Sequence, residues 1–130
     1  MQSINSLFLS LFSILMFVST TYAGWENKVY KMKIKTAYCH RLDEPMSPPL
    51  IELHSGEQLT MEFDDLAIEQ SNYSYRIIHC TWDWETSKLY ETNYIDGFNS
   101  VPIYDYTYSF NTLQDYTHYW FSLPNRDLRL

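Results

Sequence analysis

The stretch "EQLTMEF" (residues 57–63) indicates the fold class most clearly, because its side chains alternate in character with a period of two. Leu59, Met61 and Phe63 share one face, and the polar residues between them share the other. This alternation is typical of a β-strand with one face buried and one face in water. The stretch therefore predicts a half-buried strand.

The residues before this strand predict the rest of a hairpin. "HSGEQ" (54–58) is typical of a turn, in which Gly56 would supply a positive φ. "LIEL" (50–53) predicts the short first strand of that hairpin. Three prolines precede it in "RLDEPMSPPL" (41–50), and proline cannot donate to a strand ladder, so we expect a loop there.

A further strand is predicted at the N-terminal side, in "VYKMKIKTAY" (29–38). Its lysines fall on one face, and its larger residues from Tyr30 to Tyr38 fall on the other. Charged side chains on one face protect the edge of a sheet against pairing with other chains. We therefore expect an edge strand with one wet side.

Three later stretches complete the pattern. "YSYRIIHCTW" (73–82) is largely apolar on both faces and predicts a central strand covered on both sides. "IYDYTYSF" (103–110) and "THYWFSL" (117–123) alternate again. Between 83 and 102 we expect an irregular excursion with one turn of helix and a turn at Gly97. This makes about six strands in an all-β, antiparallel sandwich of the immunoglobulin or fibronectin type.

A spacing near the C-terminus favours the same class. "LQDYTHY" (113–119) puts Leu113, Thr117 and Tyr119 at positions that resemble the tyrosine corner of such sandwiches. In that motif the ring packs in the core, and the hydroxyl bonds to backbone a few residues upstream. A further strand normally follows the corner. We therefore expect the domain, residues 24–130, to be incomplete at its C-terminal end.

The first 23 residues have the pattern of a secretory signal peptide, which we expect to form a signal helix. An apolar run (7–18) leads into small residues before a cleavage site between Ala23 and Gly24. A retained N-terminal anchor is the alternative. The formal charge of −7 argues against nucleic-acid binding, which depends on lysine and arginine. Cys39 and Cys80 are the only cysteines, so they form either one bridge or two buried thiols.

The pair His79 and Cys80 raises the question of a reactive or metal site. Neighbouring side chains on a strand point to opposite faces, so the two are not expected to bind one ion or to form a nucleophile and base. The other histidines have no metal-ligand spacing, and the chain has no G-x-S-x-G motif. We predict no catalytic, metal or cofactor site. His79 is expected in the core with a hydrogen-bond partner, and Asp64 and Asp65 are expected to be solvated at a strand end.

Aromatic residues are the candidates for binding a partner, since tyrosine and tryptophan are enriched in interfaces. They form a tyrosine row and a tryptophan pair: Tyr104, Tyr106, Tyr108, Trp82 and Trp84. The alternative for the tyrosine row is a core face. A carbohydrate- or protein-binding sandwich that uses these rings is one functional hypothesis.

The other hypothesis comes from a family resemblance over the whole chain after the signal segment. Three stretches carry it: "SPPLIELHSGEQLTMEFDDL" (47–66), "NYSYRIIHCTWDW" (72–84) and "YIDGFNSVPIYDYTYSFNTLQDYTHYWFSLPNRDLRL" (94–130). They resemble the N-terminal domain of the plug proteins of the type IX secretion system, known from Bacteroidetes. Cys39 is not a position associated with that family.

The resemblance implies a non-enzymatic periplasmic subunit associated with the outer membrane. Family members bind the outer-membrane translocon barrel and close its periplasmic opening when no cargo passes. The system also serves gliding motility in some members of the phylum. We expect no cofactor, and no insertion of the chain into the membrane after signal cleavage. Family proteins are longer and continue with further β-rich domains.

Overall fold

The computed structural model describes residues 28–67, 69–123 and 128–129. The signal segment and its cleavage position, Ala23–Gly24, lie outside the described residues. The described elements are six strands and one short helix, all of them brief except the first, second and last strands. They are β1 (Ile34–Arg41), β2 (Leu59–Asp65), β3 (Tyr73–Tyr75), α1 (Glu91–Tyr94), β4 (Val101–Ile103), β5 (Tyr106–Tyr108) and β6 (Thr117–Leu123).

These strands form two antiparallel sheets. One has four strands in the order β1-β2-β6-β5, and the other pairs β3 with β4. The predicted all-β class with two antiparallel sheets and six strands is confirmed. The described residues contain no helix long and apolar enough to cross a bilayer.

Strand β2, which contains most of the alternating stretch 57–63, lies inside the larger sheet. β2 pairs with β6 over its whole length, so that Leu59, Met61 and Phe63 each face an apolar or aromatic residue of β6. Phe63, for example, lies opposite Tyr119. Because cross-strand partners share a face, the period-two pattern of both strands builds one aromatic face.

That aromatic face packs against β3 of the smaller sheet. Tyr73 meets both Phe63 and Tyr119 edge to face, with ring centroids 5.1 Å apart in each pair. Tyr75 stacks on Phe121 at 4.4 Å. Edge-to-face and offset contacts suit the charge distribution of aromatic rings. The contact between the sheets is therefore made by tyrosine and phenylalanine.

β1 is an edge strand of the described sheet, as its lysines predict, but its register differs from the expectation. The strand begins at Ile34, and the pairing with β2 shifts between Lys35 and Tyr38. Thr36 lies at the shift with a φ of 48°. The resulting bulge puts Tyr38 on the face opposite Ile34. The expectation of one continuous face from Tyr30 to Tyr38 is therefore wrong.

The hairpin before β2 is also corrected. Residues 50–53 form no strand, and the proline-rich loop continues through them. The positive φ in the turn belongs to His54, at 60°, and not to Gly56. Asparagine, aspartate and histidine tolerate this conformation better than most residues with a side chain.

The predicted central strand over 73–82 is reduced to the three residues of β3. The Asn99 side chain explains where the ladder ends: its Oδ1 accepts from the Ile77 N–H, and its Nδ2 donates to the Ile77 carbonyl, both at 2.8 Å. A side-chain amide therefore takes the place of a neighbouring strand. The predicted strand over 103–110 is likewise divided, because the chain leaves the smaller sheet after Ile103 and enters the larger one at Tyr106.

Candidate docking surface

The described part of the chain leaves many large apolar side chains in contact with water. Only Tyr94, Ile95 and Tyr119 are buried hydrophobic residues among those described. Single exposed hydrophobic residues are ordinary, but exposed tryptophans close together are a feature of binding surfaces. The candidate site residues therefore have to be judged by their exposure and by what holds them in place.

The two tryptophans lie on a short hairpin, residues 80–86, that we call the tryptophan hairpin. Its ends meet in an antiparallel bridge between Cys80 and Thr86. Trp82 is 93% exposed and Trp84 is 67% exposed. The sequence predicted both as partner-binding candidates, and the structure brings them together at one loop tip.

Backbone hydrogen bonds fix the tip of the tryptophan hairpin. The Thr81 N–H donates to the Glu85 carbonyl at 2.8 Å, and the Trp84 N–H donates to the Thr81 carbonyl at 3.0 Å. The Thr81 hydroxyl also donates to the Asp83 carboxylate. Trp84 has a φ of 62°, in the left-handed region that disfavours a bulky side chain. The exposed rings are therefore carried by a defined and strained turn.

Two carboxylates accompany these rings. Asp83 and Glu85 alternate with the tryptophans, so the tip is both aromatic and acidic. The Thr81 hydroxyl bond lowers the pKa of Asp83, which keeps its carboxylate charged. The arrangement suits a partner surface that combines an apolar recess with basic side chains.

The tyrosine row is split by the structure. Tyr106 and Tyr108 share one face of β5 and meet edge to face at 5.6 Å. Tyr106 leans on the buried Tyr119 at 5.7 Å, and its hydroxyl donates to Gln70. Tyr104 precedes the strand and is 78% exposed. Tyr106 thus serves packing, whereas Tyr104 and Tyr108 are available at the surface.

Other exposed aromatic residues were missed by the sequence reasoning. Phe98 follows the positive-φ Gly97, and Phe110 follows β5; both are more than 90% exposed. The period-two pattern placed Phe110 in the predicted strand over 103–110, but β5 ends at Tyr108, so both phenylalanines lie in loops. The turn residue Gly97 was the one signal that could have placed Phe98 at a tip.

His79 and Cys80 do not form a reactive pair. The His79 ring packs 5.7 Å from the Tyr94 ring, and its buried Nδ1 has no hydrogen-bond partner among the described residues. At Nδ1, the hydrogen-bond partner expected for His79 is therefore absent among the described residues. The Cys80 thiol donates weakly to the Ile78 carbonyl at 3.8 Å, and both cysteines are free thiols. Among the described residues, no group of three histidine, cysteine or carboxylate side chains could hold a metal ion.

The tyrosine spacing near the C-terminus gives a contact different from the expected corner. Tyr119 is 1% exposed, and its hydroxyl donates to the Ser71 carbonyl at 3.1 Å while accepting from the Ser71 N–H at 3.2 Å. Thr117 is buried beside it in β6, but Leu113 is fully exposed. The hydroxyl therefore bonds to backbone in the loop after β2, not to residues a few positions upstream.

Asp65 contradicts its predicted role as a solvated residue at a strand end. It is 1% exposed and accepts hydrogen bonds from the Tyr73 hydroxyl at 2.6 Å, the Ala67 N–H at 2.9 Å and Lys33 Nζ at 3.1 Å. Lys33 Nζ also donates to the Ser71 hydroxyl at 2.9 Å. The period-two pattern of β2, continued past Phe63, was the signal that placed Asp65 inward.

Comparison with known proteins agrees with this architecture. Residues 34–130 match the family described as "Type 9 secretion system plug protein 1st domain". The chain is also similar to the crystal structure of a hypothetical protein from Parabacteroides merdae, with 34% sequence identity and a TM-score of 0.73. That similarity covers 78% of this chain and 26% of the other, so this chain spans about a quarter of that protein. A search of curated proteins gave no match.

The family match covers both sheets and the tryptophan hairpin, and it concerns a component of a secretion system and not an enzyme family. The chain therefore belongs to the type 9 secretion system plug protein family, whose first domain it matches over residues 34–130.

Proposed function

We propose that this chain is a non-enzymatic plug subunit that docks on the outer-membrane translocon barrel and closes its periplasmic opening. The family match over residues 34–130 is the observation that carries the proposal. The chain covers 26% of its structural relative. The proposal therefore includes that a longer protein containing this domain closes the pore.

The tryptophan hairpin is the contact that we assign to docking. A few buried tryptophan, tyrosine and arginine side chains usually dominate the affinity of an interface. Trp82 and Trp84 are exposed before docking, and hydrogen bonds fix the backbone of the turn that carries them, so little backbone entropy is lost when they are covered. Tyr104 and Tyr108 supply further aromatic surface near β5.

Charge supports the same kind of partner. The chain has a formal net charge of −7, and the tryptophan hairpin itself is acidic. Opposite charge on a partner raises the association rate and fixes the orientation of docking. We therefore expect a basic rim on the periplasmic side of the barrel.

The test is a deletion of the gene in cells with and without the barrel. Deletion should let bulky solutes cross the outer membrane only when the barrel is present. Co-purification of the barrel with the wild-type protein should be strong, and it should be weakened by the double substitution Trp82→Ala and Trp84→Ala. Leu113→Ala, at another fully exposed apolar residue, is the matched control. Unchanged permeability together with no co-purification would refute the function.

Location in the periplasm requires export. We propose that the N-terminal segment is a signal peptide that is cleaved between Ala23 and Gly24. Mass spectrometry of the protein from cell envelopes should find Gly24 as the first residue. Intact residues 1–23 on the mature protein would contradict cleavage.

A carbohydrate-binding module is the second candidate, because exposed tryptophan rings also stack on sugars. The discriminating measurement is quenching of tryptophan fluorescence by a panel of oligosaccharides. Saturable quenching that is lost in the Trp82→Ala and Trp84→Ala variant would favour this alternative. If no oligosaccharide quenches the tryptophan fluorescence, carbohydrate binding is excluded for the panel, and the plug function stays as the proposal.

A further inference from the structure

The second face of the larger sheet carries a connected set of histidines and carboxylates, which we call the histidine–carboxylate network. It crosses three neighbouring strands, from β1 through β2 to β6. Its members are Tyr38, His40, Glu62, Asp64 and His118. The aromatic face and its partner sheet lie on the opposite side, so this network is separate from the packing between the sheets.

His40 is the most buried member, with 4% exposure. Its Nδ1 lies 2.7 Å from the Arg41 carbonyl, which can only accept a hydrogen bond. Its Nε2 lies 3.1 Å from Glu62 Oε1. Both contacts are satisfied when the imidazole carries two protons and Glu62 is ionised. If His40 loses one proton, a nitrogen lone pair faces a carboxylate oxygen at hydrogen-bonding distance.

His118 repeats this arrangement on the other side of β2. Its Nδ1 lies 2.8 Å from Asp64 Oδ1, and its Nε2 lies 3.5 Å from Glu62 Oε2. Glu62 therefore lies between two histidines. These five residues have no net charge when both histidines are protonated, and they carry two negative charges when neither is.

One cation on the same face lies beside Asp64, because the register of β1 and β2 pairs Lys35 with Asp64, whereas Glu62 makes its charged contacts with the two histidines. The Tyr38 hydroxyl donates to Glu62 at 3.0 Å and the Thr36 hydroxyl donates to Asp64, but both donors are neutral. The Thr60 hydroxyl lies opposite His40 and has no hydrogen-bond partner among the described residues. The cation next to His40 in sequence, the Arg41 guanidinium, is directed to two other carboxylates. Those carboxylates are Glu44 and Glu57.

We propose that the network is a proton-dependent latch that holds the edge strand β1 on β2. Protonation of His40 joins β1 to Glu62 through a charge-assisted hydrogen bond, which is stronger than a neutral one. Loss of the proton removes this bond and leaves the half-buried Glu62 carboxylate facing a lone pair. β1 has only one neighbouring strand in the described sheet, so it is the strand that loosens.

The expected direction of the pH dependence follows from the protonation of His40. The Arg41 carbonyl, and then the Glu62 carboxylate, outweigh burial and raise the pKa of His40 above its ordinary value of 6.5. A raised pKa in the folded state means that the folded state binds the proton more tightly than the unfolded state does. The stabilisation is complete below 6.5 and is lost as the pH rises through the folded-state pKa.

The first measurement is an NMR titration of the histidine ring protons in the wild-type chain. The proposal expects the His40 resonance to titrate above 6.5 and the protection of β1 amides to fall over the same pH range. Protection is compared after correction for the intrinsic pH dependence of exchange, with amides of the central strand β6 as the internal control. A His40 midpoint at or below 6.5, or equal losses in β1 and β6, would overturn the proposal.

The second measurement compares variants by thermal unfolding at about pH 6 and about pH 8. The wild-type Tm should be higher at the lower pH, because the hydrogen bond from protonated His40 to Glu62 is intact there. His40→Gln keeps a donor but no titrating group, so this difference should shrink to near zero. The control His54→Asn, at an exposed histidine with positive φ, should keep the full difference.

A second variant keeps the test decisive if His40→Gln does not fold. Glu62→Gln removes the negative charge while keeping the shape of the side chain, so it should move the NMR midpoint of His40 downward. Retention of the wild-type midpoint in Glu62→Gln would overturn the latch. A downward shift, together with faster exchange of β1 amides, supports it.

Discussion

Asp65 shows how one residue joins the two sheets. It ends β2 of the larger sheet, and it accepts a hydrogen bond from Tyr73 of the smaller sheet at 2.6 Å. Lys33 adds an ion pair at 3.1 Å, although its ammonium remains partly in water. Burial raises the pKa of Asp65, but the bonds from Tyr73, Ala67 and Lys33 outweigh it, so the pKa lies below the ordinary 3.8.

The substitution Asp65→Asn should destabilise the fold. The asparagine side chain has the same shape but no charge. Its NH₂ group would face groups that donate hydrogen bonds to Asp65 in the wild-type protein. Loss of hydrogen bonds to a buried charged group suggests a decrease of about 2–3 kcal/mol in the free energy of unfolding. Urea denaturation measures it, with the exposed Asp115→Asn as control. A change no larger than that of the control would contradict the role of Asp65.

Protonation of Asp65 should also lower the stability of the fold at acid pH. A lowered folded-state pKa means that Asp65 contributes stability above its unfolded value of 3.8, and that this contribution is lost as the pH falls through the folded-state pKa. Wild-type stability should therefore decrease below about pH 4, and the Asp65→Asn variant should lose less over that range. Equal losses in the two proteins would argue against it.

Tyr119 makes the second bond that fixes the loop after β2. Replacement by phenylalanine keeps the ring stacked on Phe63 but leaves the Ser71 N–H and carbonyl without their partner. The free energy of unfolding of Tyr119→Phe should fall by about 1–3 kcal/mol in urea denaturation. Tyr104→Phe, which removes an exposed hydroxyl, should have almost no effect. Similar losses in the two variants would contradict this role for Tyr119.

At the scale of elements, the tryptophan hairpin combines exposure with backbone strain. A left-handed conformation costs a residue with a side chain roughly 1–2 kcal/mol. Such strain is often found where a side chain must be presented in a fixed direction. The positive φ of Trp84 therefore supports a role for the hairpin in binding more than a role in stability.

Two substitutions at Trp84 separate these roles. Trp84→Gly relieves the strain, whereas Trp84→Ala keeps it, so the glycine variant should be the more stable of the two. The expected difference is roughly 0.5–1 kcal/mol, because the greater freedom of glycine in the unfolded chain offsets part of the gain. Both variants should bind the barrel less tightly. If Trp84→Gly is the less stable variant, the strain argument fails.

At the scale of the whole molecule, the described residues bury little apolar surface for a chain with 45% hydrophobic residues. The smaller sheet has only two strands, and it covers only part of the aromatic face. Beside β1, a groove of about 350 Å³ remains open. Its lining consists of residues 28–31, Ile34, Ala37, Met61, Phe63 and Tyr73. Exposed apolar surface and unpaired strand edges favour association with other surfaces.

We therefore expect the isolated chain to be only marginally stable and to self-associate. Purified protein should bind a hydrophobic dye and should form concentration-dependent oligomers in analytical ultracentrifugation. Co-expression with the translocon barrel should reduce both effects if docking covers these surfaces. A monomer with a cooperative, high-temperature melt and no dye binding would contradict this expectation.

The total of six strands agrees with the prediction only because residues 50–53 form no strand while the predicted strand over 103–110 is divided between β4 and β5. The all-β class, the edge position of β1 and the family could be predicted from the sequence alone. These features depend on local alternation of side chains and on long ordered motifs, both of which can be read along the chain. Alternation over Leu59 to Phe63 was sufficient to predict a half-buried strand there, but its place inside the larger sheet was not predicted. The same alternation, continued to residue 65, predicts that Asp65 points inward, although a charged side chain is usually expected in solvent.

Only the tertiary structure decided where each strand stops and what its polar residues contact. The ladder after β3 ends because Asn99 binds the backbone of Ile77, twenty-two residues away in sequence. The network around His40 exists because a bulge at Thr36 turns the later part of β1 over, so that His40 faces Glu62. Such contacts depend on register between distant segments, and a one-residue shift in register moves every following side chain to the other face.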